Sequence, residues 1–239
     1  DEKGAEVLPA IPDNSSAAAL IGNDDLLAVE LDRTDKPGAS FLVIDADTGK
    51  VRRQLTLPAE ERVYWRGLSS DGMLFVVSDQ AVSGYDLIND SDKPAWRRAD
   101  LQSRYPAATQ VTLDGLIFVN SYNQLMCLSS EGGEVRWPSP ANPPLSLNIP
   151  AGQLSSGQYP FLRSVVDGDM VIFESTQGVS AYYTYPRSAD DGQLAWEATF
   201  TSNTTPPLEN MLVSDPYVVV MAEGPMQTAQ HAVHIVLMN

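Results

Sequence analysis

The feature that most constrains this chain is the stretch Val43-Ile44-Asp45-Ala46-Asp47-Thr48-Gly49-Lys50-Val51-Arg52-Arg53, because later stretches return to its plan. It reads as an apolar strand, a polar turn closed by glycine, and a second strand. Glycine takes positive φ without a side-chain clash, so Gly49 suits the end of such a turn. A chain built by repeating this plan makes small antiparallel sheets, each of which must bury its faces against its neighbours.

Followed in order, the chain holds four such units and most of a fifth. Strands are predicted at Leu26–Leu31, Ser40–Ile44 and Val51–Leu57. The second unit opens near Val63-Tyr64-Trp65-Arg66-Gly67-Leu68, turns at Asp71-Gly72, and ends in Ala95-Trp96-Arg97-Arg98. The third turns at Asp114-Gly115 and again at Ser129–Gly133, ending in Glu134-Val135-Arg136-Trp137. The fourth runs from Phe161 through a long loop, Pro186–Gly192, to Phe200. The fifth lacks its last strand. Near the start, Gly4–Leu8 could be a short strand, and the alanines of Ser16–Ile21 suggest a helix, but the stretch is too short, and stopped too abruptly by Gly22, to be assigned as one.

The first apolar residue after each first turn is Leu26, Met73, Leu116, Met170 and Tyr217, spaced by 47, 43, 54 and 47 residues. Four short strands in a period of roughly 45 residues is the size of one β-propeller blade. The expected fold is therefore all-β, a propeller of four-stranded antiparallel blades. Residues 1–239 form a single propeller domain or fragment, with units at about 15–58, 63–101, 107–140, 160–201 and 208–239. Gly49, Gly133 and Gly192 each precede, by four, the residue at one repeat position: Arg53, Trp137 and Trp196. Trp96 ends the corresponding segment of the second unit. A large ring fixed there covers a neighbouring blade, and burying it is worth roughly 2–3 kcal/mol. The six residues Gly49, Trp96, Gly133, Trp137, Gly192 and Trp196 are accordingly read as structural.

The pattern apolar-x-Asp/Ser-x-x-Thr/Gly-Gly-x-x-x-Trp resembles the repeat of the quinoprotein-like (PQQ-repeat) propellers. That superfamily includes quinone-dependent alcohol dehydrogenases as well as non-enzymatic members, which this chain is closer to in character. Val43, Asp45, Thr48 and Gly49 match, with Arg53 in place of tryptophan; Cys127, Ser129, Gly132, Gly133 and Trp137 match without interruption. The resemblance covers about residues 15–239 and implies seven or eight blades, hence a longer polypeptide. A five-bladed ring closed by the N-terminal strand is the alternative. The family's enzymes use a vicinal cysteine pair, a tryptophan under the quinone, and a calcium held by Glu and Asn. Cys127 is the chain's one cysteine, so no vicinal pair is available within it.

Composition removes other classes. The net charge of -16, from 31 acidic and 15 basic residues, opposes contact with phosphate backbones, so nucleic-acid binding is not expected. No apolar run is long enough for a membrane-spanning helix. Three Asn-x-Ser/Thr triplets, at Asn14, Asn89 and Asn203, fall in loop-like stretches. His231 and His234 are three apart in a strand, on opposite faces, and share no metal. Asp71, Asp114 and Asp167 recur at first turns, where bonds to their own turn backbone explain them. Trp65 is read as a core or inter-blade ring, with a place under a planar ligand as the other option. Glu60-Glu61, Glu209 and Glu223 would have to pair across a channel to act as acid and base.

The expected function is that of a non-catalytic propeller with no cofactor, serving as a protein-binding or scaffolding module in a larger protein or complex outside the cytoplasm. Tyr182, Tyr183, Tyr185 and Arg187 form the candidate partner surface, since tyrosine and arginine are favoured in binding hot spots. The proline-rich stretch Pro138–Gln158 and the loop Pro186–Gly192 are expected to meet the partner. A fragment of a quinone-dependent dehydrogenase and a carbohydrate-binding or carbohydrate-cleaving propeller stay open as alternatives.

Overall fold

The computed structural model describes residues 15–33, 38–89, 91–101, 109–112, 115–119, 125–137, 164–167, 170–175, 178–184, 194–199, 208–214, 217–223 and 231–237. Every assigned element in it is a β-strand. The first sheet holds β1 (Ser15–Gly22), β2 (Leu26–Arg33), β3 (Ala39–Asp45) and β4 (Val51–Thr56). The second holds β5 (Val63–Leu68), β6 (Met73–Ser78), β7 (Val82–Asp86) and β8 (Trp96–Arg98). The third holds β9 (Gln110–Thr112), β10 (Gly115–Val119), β11 (Leu125–Ser129) and β12 (Val135–Trp137). The fourth holds β13 (Ser164–Asp167), β14 (Met170–Ser175), β15 (Gly178–Tyr183) and β16 (Leu194–Thr199). The fifth contains three strands, β17 (Leu208–Ser214), β18 (Tyr217–Glu223) and β19 (His231–Leu237). Within each sheet the strands lie in chain order.

The four-strand repeat expected from the spacing is thus present, with four complete sheets and a fifth of three described strands. One uncertain segment is settled. Ser16–Ile21 lies in β1, held by antiparallel pairing with β2 from Ser15↔Arg33 to Gly22↔Leu27. Its alanines favour a helix, but a partner strand one short turn away satisfies every second backbone group and overrides that weak preference. Gly4–Leu8 lies outside the described residues.

Burial explains why some strands read as apolar runs and others as alternation. The middle strands β6 and β11 are buried at every position, so both of their faces meet other layers. Outer strand β4 alternates from Arg53 to Thr56, since one of its sides remains in water, whereas β5 is half-buried along most of its length.

Two compact units divide the chain. The first is Asp1–Ser103 with Ser129–Glu134, and the second is Arg104–Leu128 with Val135–Asn239. In the first, one core joins Leu26, Ala28, Phe41, Val43 and Leu55 of the first sheet to Leu74, Val76 and Tyr85 of the second. Each valine, leucine or phenylalanine among them stabilises by about 1.5–3 kcal/mol on burial. In the second unit, Ile172, Val179 and Ala181 of the fourth sheet pack with Val218 of the fifth, and Trp196 and Met211 lie against them.

The strand register identifies the repeat position physically. Arg53 lies opposite Val43, Trp96 opposite Gly84, Trp137 opposite Cys127, and Trp196 opposite Ala181. In the first, third and fourth sheets the register slips immediately beyond this pair, leaving Arg52, Arg136 and Ala195 as the extra residue of a bulge. A bulge bends and twists its strand, which turns the outer strand at the same place in each repeat.

Candidate functional site

The side chains at the repeat position act as fasteners where their partners are described. The Trp96 ring is buried against Phe75, with centroids 5.9 Å apart. It lies on two glycines: a Cβ at Gly84 would come within 2.5 Å of its Cε2, and one at Gly133 within 2.5 Å of its Cε3. Trp96 Nε1 donates to the Ser130 carbonyl at 2.7 Å, and Arg98 Nη1 donates to that of Gly133 at 2.8 Å. The third repeat's turn is thereby held on the second sheet. Arg53 does the corresponding work one repeat earlier. Its guanidinium donates to the carbonyls of Ser91 at 2.5 Å and Asp86 at 2.7 Å, in the turn of the second sheet. Arginine therefore replaces tryptophan by reaching the same kind of acceptor with a longer, charged fork.

Gly49 and Gly133 have φ of 66° and 68°, the left-handed conformation their place in the turn requires. The Trp137 and Trp196 backbones occupy the expected register; Gly192 lies outside the described residues.

The aspartate heading each second turn organises that turn. Asp45 accepts from the Thr48 amide at 2.9 Å and hydroxyl at 2.8 Å, and from Arg52 Nη2 at 2.7 Å. Arg52 and Thr48 hold its carboxyl down at about 2. Burial works against ionisation of Asp86, yet the Asn89 and Ile88 groups that donate to it keep its carboxyl below the ordinary range. Ser129 has the same position in the third repeat, accepting from the Gly132 amide at 3.2 Å and donating to Glu134 at 2.7 Å.

At the first turns the expectation needs correction. Asp71 accepts from the Ser69 hydroxyl rather than from turn backbone; Ser69 Oγ itself receives the Met73 amide at 2.9 Å. In the first sheet Asn23 performs the backbone-capping task, receiving the amides of Asp25 and Leu26 while its own amide reaches the Ser69 carbonyl of the second sheet. Asp114 lies outside the described residues, and Asp167 is paired with Met170 at the end of β13.

Two buried carboxylates, unmarked by any motif, form ion pairs. Glu30, 3% exposed, faces Arg66, and Glu61, 4% exposed, faces Arg97. Burial raises the Glu30 pKa in spite of Arg66. Burial, with the Glu61 charge beside it, pushes the Tyr85 hydroxyl up to about 12. Glu61 is thus a buried ion-pair partner of Arg97; Glu60 is exposed, and its carbonyl accepts from Gln80. The positions of these pairs depend on which strands meet, so sequence spacing alone could not find them.

Of the candidate partner surface, Tyr182 is buried edge-on to Phe173 at 6.0 Å, while Tyr183 is exposed. Alternation along β15 divides them. The described surface therefore presents Tyr183 and not Tyr182; Tyr185 and Arg187 lie outside the described residues, as do Pro138–Gln158 and Pro186–Gly192. Cys127 is buried in β11, and Trp65 is half-buried opposite Val77. His231 and His234 pair across the ladder with Glu223 and Val220. Asn89 donates its side-chain amide to Asp86, and Asn14 and Asn203 lie outside the described residues. At the turn end of the first two sheets a cleft of about 200 Å³ is lined by Asn23, Asp25, Asp45, Asp47, Gly72 and Ile88. Among the described residues no group of three or more His, Cys, Asp or Glu side chains is placed to hold a metal ion, and no helix is long and apolar enough to cross a membrane.

These sheets, their order and their register have the fold of a β-propeller. The chain is similar to BamB from Moraxella catarrhalis, with 12% identity and a TM-score of 0.51 over 92% of this chain and 76% of BamB. It is similar to Hsv2 from Kluyveromyces lactis, with 11% identity and a TM-score of 0.50 over 85% of this chain and 66% of that one. It is also similar to the N-terminal domain of Nup159, with 12% identity and a TM-score of 0.56 over 94% of this chain and 59% of that one. The chain spans less than two thirds of the last two. At these identities the likeness is one of fold; BamB is a PQQ-like propeller and the other two are not. No family profile matches the sequence, and no curated protein matches it.

Proposed function

We propose that this chain is a quinoprotein-like propeller portion that displays its loops to a protein partner within a larger protein or complex outside the cytoplasm, without catalysis of its own. One observation carries the reading. The buried carboxylates Glu30 and Glu61 face arginines, and the turn carboxylates Asp45 and Asp86 bind their own turns, so these four groups serve rigidity. A rigid scaffold of this kind suits loop display, because ordered loops bind with less loss of conformational entropy. The likeness to BamB supports the quinoprotein-like assignment, as does the repeat register at Val43/Arg53, Cys127/Trp137 and Ala181/Trp196. Placement outside the cytoplasm rests on the repeat's resemblance to that superfamily.

The test is purification from fractionated native cells, with pyrroloquinoline quinone and Ca²⁺ then titrated into the isolated protein. The proposal expects the chain in the extracytoplasmic fraction, in a stoichiometric complex with a defined protein, and no dye-coupled alcohol oxidation on adding quinone. Saturable quinone binding with dye reduction would overturn it.

A further inference from the structure

The cleft at the turn end of the first two sheets is built from four turns, and hydrogen bonds tie them together. Asn23 Nδ2 donates to the Ser69 carbonyl at 2.7 Å, joining the first turns of the two sheets. The Ala46 amide donates to the Asp25 carbonyl at 2.9 Å, and the Leu87 amide to that of Gly72 at 3.0 Å, so each second turn is held on its own first turn. The cleft therefore has its shape before anything enters it, which lowers the entropic cost of binding.

Its wall is apolar. Ile88 is 60% exposed and rests on Gly72, where an added Cβ would come within 2.8 Å of Ile88 Cγ1 and 3.5 Å of Leu26 Cδ1. Its rim is acidic. Asp25, Asp45 and Asp47 stand there against one cation, Arg52. Arg52 is committed to Asp45, whose other oxygen receives the Thr48 amide and hydroxyl. The exposed carboxylates of Asp25 and Asp47 meet no donor among the described residues.

Size and chemistry together select the occupant. Clefts that take whole small molecules measure roughly 300–1,000 Å³. This one, at about 200 Å³, suits a single side chain. An apolar wall that ends in unpaired carboxylates matches lysine or arginine, whose aliphatic stem packs on apolar surface while the charged head pairs beyond it. The chain's net charge of -16 draws a basic surface towards it.

We propose that this cleft receives a basic side chain, arginine or lysine, from an exposed loop of a partner protein, with its stem along Ile88 and its head donating to Asp25 and Asp47. This rests on the protein-binding reading and names the chemistry of the partner's contact.

The experiment places a photoreactive amino acid at Ser70, which is exposed and lines the cleft, in the natural protein in native cells. Mass spectrometry of the adduct maps the partner residues that it reaches, and a second crosslinker at Tyr183 samples a surface apart from the cleft. The expected result is an adduct from Ser70 whose mapped partner segment carries arginine or lysine. With that partner purified, Asp25→Asn combined with Asp47→Asn should weaken binding about tenfold. Replacing the mapped basic residue by glutamine should weaken it similarly, and add little in the double variant. Neither aspartate side chain bonds to its turn, so an unchanged urea midpoint is expected for the double variant. A mapped segment without a basic residue, an adduct with a second copy of this chain, or unchanged affinity in the double variant overturns the proposal. An adduct from Tyr183 with none from Ser70 overturns it and leaves the protein-binding reading standing, whereas no adduct from either position overturns both.

Discussion

Replacing Gly133 by alanine separates two effects that the repeat otherwise combines. Gly133 has a φ of 68°, which costs an alanine about 1–2 kcal/mol, and its added Cβ would stand 2.5 Å from Cε3 of the buried Trp96 ring. Forcing a methyl group into such packing costs a further ~1–3 kcal/mol, so Gly133→Ala is expected to destabilise by about 2–5 kcal/mol. Gly49 is the natural control, since it holds the same repeat position with a φ of 66° but a Cβ there meets nothing within 4 Å. Gly49→Ala should cost only the backbone component, about 1–2 kcal/mol. Equilibrium urea unfolding measures both, with hydrogen exchange over Ser129–Glu134 reporting the local effect. In a Trp96→Ala background the added cost of Gly133→Ala should fall to that of Gly49→Ala, because the ring it strikes is gone. Equal costs at the two glycines, or an unchanged cost without the ring, would refute the fastener.

The ion pairs and turns lead to further expectations. Removing Arg66 (Arg66→Ala) leaves Glu30 buried without its partner and should cost about 3–5 kcal/mol in the same urea assay, unlike truncation of the exposed Arg52. Because the folded-state pKa of Glu30 is raised, the folded protein binds its proton more tightly, so this residue's contribution to stability should rise as pH falls from neutrality towards its ordinary value of 4.5. Glu30→Gln should remove that slope from stability–pH curves. Asp45 has the opposite sign: its contribution is present above its ordinary value of 3.8 and is lost as pH falls through about 2, so Asp45→Asn should flatten acid unfolding in that range. Arg53→Ala deletes both bonds to the second repeat's turn and should lower stability by ~1.5–3 kcal/mol, with faster exchange of the Ile88 and Asn89 amides.

How far the sequence was legible follows from what is local. The spacing of first turns located all five sheets, because apolar runs and turn glycines are written residue by residue. Trp137 and Trp196 stand four residues after glycines in the sequence, and the ladders place them, with Arg53 and Trp96, opposite equivalent third-strand residues. The strand nature of Ser15–Gly22 was not legible, since its alanines fit either state and only pairing with β2 decides. Nor were the Glu30–Arg66 and Glu61–Arg97 pairs, which depend on the approach of strands distant in sequence. Tyr182, expected at the partner surface with Tyr183, instead lies buried against Phe173, because successive side chains of β15 point to opposite faces and only Tyr183 reaches the described surface.

The claim that this propeller displays surfaces to a protein partner is tested most directly by photo-crosslinking in native cells. A photoreactive amino acid replaces the exposed Tyr183 on β15 or the exposed Ile88 in the turn of the second sheet. The account predicts a reproducible adduct of one discrete protein from at least one of these sites, and none from the buried Tyr182. Failure of both exposed sites to yield a discrete protein adduct, with the protein folded and at normal abundance, would contradict it.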